Sequence, residues 1–208
     1  MTQGREAGPL VAAVLAAGSA RRFGGGKLDT VVGGKMVGRI VLDRLCALPV
    51  DHVLLIVPPA IPRFASGGLP DKVELVINGD AADGMGTSLA LAADRAIDWE
   101  ADALLVVLAD MPLVREDSLR ALIMDDGTAR QEQLRAARYP DGRLGPPALF
   151  GAQWLDELSG LSGDKGARDL LQRESAYVSE RALSETEAFD LDRPDDLARL
   201  YALWTAQG

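Results

Sequence analysis

Near the start of the chain, Gly18, Arg22, Gly24 and Lys27 place two cations among glycines directly after an apolar run, residues 10–17 (LVAAVLAA). Eight small and β-branched residues bounded by turn formers read as a fully buried strand. A buried strand that feeds a glycine-rich cationic loop gathers backbone N–H groups and positive charge at its carboxyl end, an arrangement suited to polyphosphate. A second apolar run, residues 103–109 (ALLVVLA), delivers Asp110 ahead of Met111 and Pro112. A carboxylate in that position lies where open α/β sheets bind ligands, and it offers the hard oxygen that Mg²⁺ prefers. It could also serve only as a cap before Pro112. Between these runs, Gly84, Gly86, Thr87 and Ser88 form a small-residue junction at the start of a predicted helix, where N–H groups are free. Late in the chain FDLDRPDDL, residues 189–197, supplies Asp190 and Asp192. Cations and free amides at the ends of buried strands suit a polyphosphate, and a carboxylate beside them suits its divalent cation.

Other chemistries lack their parts. His52 is the sole histidine and Cys46 the sole cysteine, so Ser-His, Cys-His and multi-histidine zinc sites are excluded. A Walker P-loop needs Gly where Arg21 stands and Ser or Thr where Leu28 stands, and Gly18 starts no G-x-G-x-x-G.

Periodicity then gives the elements that must hold these residues. Residues 37–48 carry Val37, Ile40, Val41, Arg44, Leu45 and Leu48 at helical spacing, with Arg39 and Asp43 outward. Strands are predicted over residues 52–57 and 73–77, separated by an irregular connection at 60–70. A helix runs to about residue 97, the fourth strand covers 103–109, and a further helix covers 115–125. Residues 133–139 alternate like an exposed antiparallel strand, and 144–150 (LGPPALF) form a second short strand entered through two prolines. Pro194 suits the first turn of a closing helix reaching about Trp204, with Asp192 either as its N-cap or as a ligand. The expected fold is α/β, a three-layer α/β/α sandwich with a mostly parallel, Rossmann-like sheet and a small antiparallel extension. One domain is expected over residues 1–208, with 1–9 a loose leader.

Several motifs together carry a resemblance. L-A-A-G-x-x-x-R-x-G-x-x-K at residues 15–27 resembles the signature loop of the nucleotidyltransferases, and within them of the molybdopterin nucleotidyltransferase family. G-M-x-x-S-L from Gly84, L-A-D-M-P around Asp110, GDKGARDLL from Gly163 and the terminal FDLDRPDDL follow in family order. The resemblance implies a nucleotide-diphospho-sugar transferase-like fold and transfer of a nucleoside monophosphate from an NTP onto a phosphate, releasing pyrophosphate. It implies catalytic roles for Arg22 and Lys27, and nucleotide contacts from Leu15, Ala16, Ala17, Gly18, Lys27, Asn78, Gly84 and Ser88. It further implies Mg²⁺ held by Asp110 and Asp192, the latter favoured over Asp190. The L-A-A-G form is similar to the CTP-using branch, which makes CTP and molybdopterin the expected substrates and a molybdenum hydroxylase a candidate recipient. Pro146 stands where that branch usually has histidine, while Lys165 and Arg168 could meet the second anionic substrate. A GTP-using guanylyltransferase, a sugar- or polyol-phosphate nucleotidyltransferase and a non-catalytic cofactor carrier are the alternatives.

Composition agrees with a folded soluble protein: 208 residues, 48% hydrophobic and 25% charged. A net charge of −9 argues against a nucleic-acid partner. It also sharpens the contrast with the region between Gly18 and Arg39, where Arg21, Arg22, Lys27, Lys35 and Arg39 face Asp29 alone. No apolar run approaches the ~18 residues that cross a bilayer. Glu6 and the Arg21-Arg22 pair spoil the imitation of a signal peptide, so a cytoplasmic location is expected.

Overall fold

The computed structural model describes residues 7–18, 23–124, 127–163 and 166–207, the side chain of Gln207 excepted. Strand β1 (Leu10–Leu15) is followed by β2 (Val31–Val32), β3 (Lys35–Met36), α1 (Val37–Ala47), β4 (His52–Val57), β5 (Val73–Ile77) and α2 (Met85–Asp98). Then come β6 (Ala103–Leu108), α3 (Glu116–Ile123), β7 (Leu134–Arg138), β8 (Leu144–Gly151), α4 (Leu155–Ser159), α5 (Arg168–Arg173), β9 (Ser179–Ala182) and α6 (Asp196–Gln207).

Seven strands form one sheet in the order β5-β4-β1-β6-β8-β7-β9. β1 pairs in parallel with β4 and β6, β4 with β5, and β7 with β9; only β8 runs against its neighbours. Every residue of β1 is buried, as its unbroken apolar run requires of a strand covered on both faces. Its alternate side chains feed two cores. Leu10, Ala12 and Val14 pack with residues of α1, α3 and α6, while Val11, Ala13 and Leu15 pack with those of α2, α4 and α5. The result is the three-layer α/β/α sandwich. After β1 the chain moves outward to β4 and β5 and then returns to place β6 on the other side of β1. That reversal opens a crevice at the carboxyl ends of β1 and β6, where such sheets bind ligands.

The structure corrects the sequence reading at several places. β7 is not an exposed strand: Leu134, Arg135, Ala136 and Ala137 are buried, because β9 pairs along its outer edge. β9 itself was not expected, since its Ser-Glu-Arg-Ala sequence is polar and exposed throughout. The two prolines lie within β8, over nearly the expected bounds, opposite a shift of register between Ala136 and Ala137, the kind of irregularity at which a strand accepts proline. The closing helix begins at Asp196, two residues beyond Pro194, so Asp192 is not its cap. Instead the Asp196 carboxylate accepts the N–H groups of Asp192 and Arg193 at 3.1 and 2.7 Å, which leaves the Asp192 side chain to other partners.

The small β2–β3 hairpin anchors α6. Its turn glycines, Gly33 and Gly34, both have positive φ, as a two-residue hairpin loop demands. A Cβ on Gly33 would lie 2.3 Å from the Trp204 indole nitrogen, and Tyr201 donates its hydroxyl proton to the Val31 carbonyl at 3.0 Å.

Candidate active site

The turn that carries Lys27 is built from glycine. Gly24, Gly25 and Gly26 have φ of +83°, +101° and +67°, values that L side chains rarely adopt. They bring the chain back into a short 3-10 turn, Lys27–Asp29. Leu28 is buried, and Asp29 accepts the N–H groups of Arg63 and Phe64 at 3.0 and 2.9 Å. Lys27 therefore projects from a turn held on both sides. Its Nζ donates to Asp110 Oδ2 at 2.6 Å and lies 3.5 Å from Asp192 Oδ1.

The carboxylates come from distant parts of the chain. Asp110 follows β6, whose backbone is fixed by pairing with β1 and β8. The N–H of Leu191 donates to the Asp110 carbonyl at 3.0 Å, which brings Asp190 and Asp192 to the same crevice. Burial pushes the Lys27 ammonium pKa down, but Asp110 and Asp192 outweigh it and the net displacement is upward. Lys27 thus stays charged. Asp190 is displaced upward, first by burial and then by the negative Asp110 and Asp192. Burial, followed by the same acidic neighbours Asp190 and Asp110, raises Tyr139.

A cavity of about 490 Å³ lies above these groups. It brings together Leu15, Ala16, Ala17, Gly18, Lys27, Gly84, Ser88, Asp110 and Asp192 from the sequence reading, and adds Asp83, Met85 and Leu108 among others. Asn78 does not line it: this residue is 1% exposed and bonds to the hydroxyls of Thr87 and Ser88 behind the wall. Arg22 and Lys165 lie outside the described residues. Two further cavities adjoin the first. One of about 670 Å³ shares Ala16, Ala17 and Gly18 and is walled by residues 58–62. The other, about 430 Å³, shares Leu15, Met85 and Leu108 and holds Tyr139, Arg143, Pro146, Arg168 and Asp190. Arg143 was missed in the sequence; the Asp141-Gly142 turn before it marks a loop tip, but nothing local marks its approach to the sheet end.

Asp110 Oδ1 is buried and has no hydrogen-bond partner among the described residues. Such an oxygen is costly to leave unmatched, and beside a second carboxylate it fits a hard divalent cation. Among the described residues no cluster of three or more His, Cys, Asp or Glu is arranged to hold a metal. Two carboxylates are nonetheless the usual protein share for Mg²⁺, whose remaining positions go to water and phosphate. His52 takes no part; its ring stacks on Trp99 with centroids 4.5 Å apart. Among the described residues no helix is long and apolar enough to cross a membrane.

Comparison with known proteins places these features in context. A family model described as MobA-like NTP transferase domain matches residues 12–179. The purine catabolism protein PucB of Bacillus subtilis (strain 168) is 29% identical over 198 residues, covering 90% of this chain and 93% of that protein. The crystal structure of Rv0371c from Mycobacterium tuberculosis H37Rv superposes with a TM-score of 0.78 at 27% identity, covering 95% of this chain and all of that one. A manganese complex of Rv0371c superposes with a TM-score of 0.73 at 26% identity over 93% of this chain and 98% of that one.

Proposed function

The chain belongs to the MobA-like NTP transferase domain family, and we propose that this nucleotidyltransferase moves CMP from CTP onto the terminal phosphate of molybdopterin. In the reaction a phosphate oxygen of the acceptor bonds to the α-phosphorus of CTP. The bond from that phosphorus to the oxygen bridging the β-phosphorus breaks, and pyrophosphate leaves. The observation that carries the reading is the Lys27 ammonium, 2.6 Å from Asp110 and 3.5 Å from Asp192, at the crevice between β1 and β6.

Each group has a role in this reading. The backbone from Leu15 through Ala16 and Ala17 to Gly18 borders the nucleotide, with Gly84 and Ser88 on the opposing segment and Asn78 bracing that segment from behind. Lys27, together with Arg22, neutralises the triphosphate and the departing pyrophosphate, an electrostatic contribution that is strong in a partly dry site. Asp110 and Asp192 would hold Mg²⁺, which supplies Lewis-acid polarisation of the α-phosphate when bound. The acceptor phosphate is already ionised near neutral pH, so no general base is required and the lack of a catalytic histidine follows. The acceptor enters the cavity of Tyr139, Arg143, Pro146 and Arg168, whose two arginines suit an anionic group.

Ala17 supports CTP, because it adds a methyl group where the guanylyltransferase branch has glycine; a pocket methyl is worth ~1–3 kcal/mol of discrimination. The manganese complex of Rv0371c supports a divalent metal, and Mg²⁺ is the proposed one. The reading treats residues 1–208 as one cytoplasmic transferase domain, with a molybdenum hydroxylase as recipient of the product. The test is to incubate the protein with each NTP, Mg²⁺ and molybdopterin and to measure pyrophosphate. CTP-dependent release that requires molybdopterin is expected. Preference for GTP moves the protein to the guanylyl branch, release only with a sugar or polyol phosphate changes the acceptor, and tight molybdopterin binding without release makes it a carrier.

A further inference from the structure

The polarity of one wall of the cleft is set from behind it. Asn78 is buried, and the backbone N–H of Asp80 donates to its Oδ1 at 2.9 Å. A backbone N–H can only donate, so this bond identifies the carbonyl end of the amide. The NH₂ end must then be the donor to Thr87 Oγ1 and Ser88 Oγ, each at 2.9 Å. Thr87 gives its own proton to the carbonyl oxygens of Gly84 and Asp80, at 2.9 and 3.2 Å. Ser88 differs. Its oxygen accepts from Asn78, and among the described residues no protein group accepts its proton, although the residue lines the cavity.

We propose that Asn78 is a positioning residue that turns Ser88 into a donor toward the nucleotide base, where the hydroxyl selects an acceptor atom, a carbonyl oxygen or an unprotonated ring nitrogen. The inference rests on the nucleotidyltransferase reading of this cleft. The base, rather than phosphate, is the group that meets Ser88, for an electrostatic reason. Asp80 and Asp83 stand on the same turn, with Asp83 in the cavity wall, and carboxylates repel triphosphate oxygens. The cation suited to phosphate, Lys27, lies instead with Asp110 and Asp192. Cytosine offers O2 and N3 side by side, both acceptors, so a fixed donor matches that edge. A base with a ring N–H there would set proton against proton and leave a buried donor unpaired, which is the stronger form of discrimination.

Asn78→Asp tests this with little change of shape. The carboxylate still accepts from Asp80 N–H, but it now offers Ser88 an acceptor and draws the hydroxyl proton away from the cleft. In titration calorimetry with Mg²⁺, affinity for CTP should fall on the order of 10-fold or more, while affinity for inorganic tripolyphosphate stays at the wild-type value. Ser88→Ala should lose CTP affinity to a similar degree, and adding Asn78→Asp to it should cost nothing further. Wild-type CTP affinity in Asn78→Asp, an equal loss of tripolyphosphate, or additive losses in the double variant would each overturn the inference. Should Asn78→Asp not fold, Asn78→Ala takes its place, since it removes the fixed donor to Ser88 Oγ without adding a charge; CTP weakened with tripolyphosphate unchanged, and nothing further lost when it is added to Ser88→Ala, supports the inference, and anything else overturns it. If the wild-type protein binds no NTP at all, the failure lies with the reading of the cleft.

Discussion

Burial alone would lower the pKa of Lys27, but Asp110 and Asp192 lie against its ammonium and raise it on balance. Lys27→Met deletes the charge and keeps much of the side-chain bulk. Turnover should fall on the order of 10²-fold or more, the scale of one lost transition-state donor. Asp110 and Asp192 would then lose the ammonium that lies against them, so the melting temperature should drop as well. Added Mg²⁺ should restore the melting temperature but not the rate, which differential scanning fluorimetry and pyrophosphate release measure separately. A full recovery of rate would remove Lys27 from the chemistry. The two candidate ligands are not equivalent. Asp110 is carried on a strand paired on both sides, and its side chain is 19% exposed against 45% for Asp192. Water could therefore replace Asp192 more readily. Asp110→Asn should abolish Mg²⁺-dependent pyrophosphate release, and Asp192→Asn should leave a measurable fraction. The reverse order would misplace the metal.

The elements that frame the site depend on a few buried polar links. Glu187 accepts hydrogen bonds from Ser118 Oγ at 2.5 Å, Ser184 Oγ at 3.0 Å and Ser184 N–H at 3.3 Å, and its Oε1 lies 3.4 Å from Arg115 N. These bonds tie the start of α3 to the segment between β9 and α6. Burial alone would raise its pKa; the bonds from Ser118 and Ser184 overcome this and hold it below the ordinary glutamate value of 4.5. The folded state thus binds the proton less readily than the unfolded one. The stabilisation is complete above about pH 5 and is lost as the pH falls through the folded pKa. Glu187→Gln should cost about 1–3 kcal/mol at pH 7, and its urea-unfolding free energy should fall less than that of wild type between about pH 5 and pH 3. Equal slopes would contradict the assignment. Such links explain what was legible in the sequence. β1, β4 and β6 were readable because their burial is written in apolar runs, whereas β9 is Ser-Glu-Arg-Ala and owes its strand to an edge offered by β7. The start of α6 was misplaced because Asp196 reaches back to Asp192 and Arg193, a choice among acidic residues that spacing does not make.

Across the whole molecule, the residue types at the crevice were readable while their division of labour was not. Asn78 and Ser88 both fall in one suggestive segment, yet only the path of the chain shows that one stands behind the wall and the other in it. Arg143 reaches the same crevice through the reversed strand β8, an arrangement no local pattern encodes. The bond from Leu191 N–H to the Asp110 carbonyl has a consequence in time. During synthesis the glycine turn and Asp110 emerge early, but the second carboxylate follows 82 residues later (192 − 110), roughly 4–16 s at ordinary elongation rates of ~5–20 residues per second. Through that interval the growing chain carries Asp110 without the second of the two carboxylates proposed to hold the metal. Refolding should show the same lag: in double-jump experiments, pyrophosphate release should return no earlier than the docking of α6 on the β2–β3 hairpin, followed through Trp204 fluorescence in a variant lacking Trp99 and Trp154. A nascent or half-refolded chain would then leave the cell's nucleotide pool untouched, and catalysis would begin only once the last strand of backbone had closed over the first.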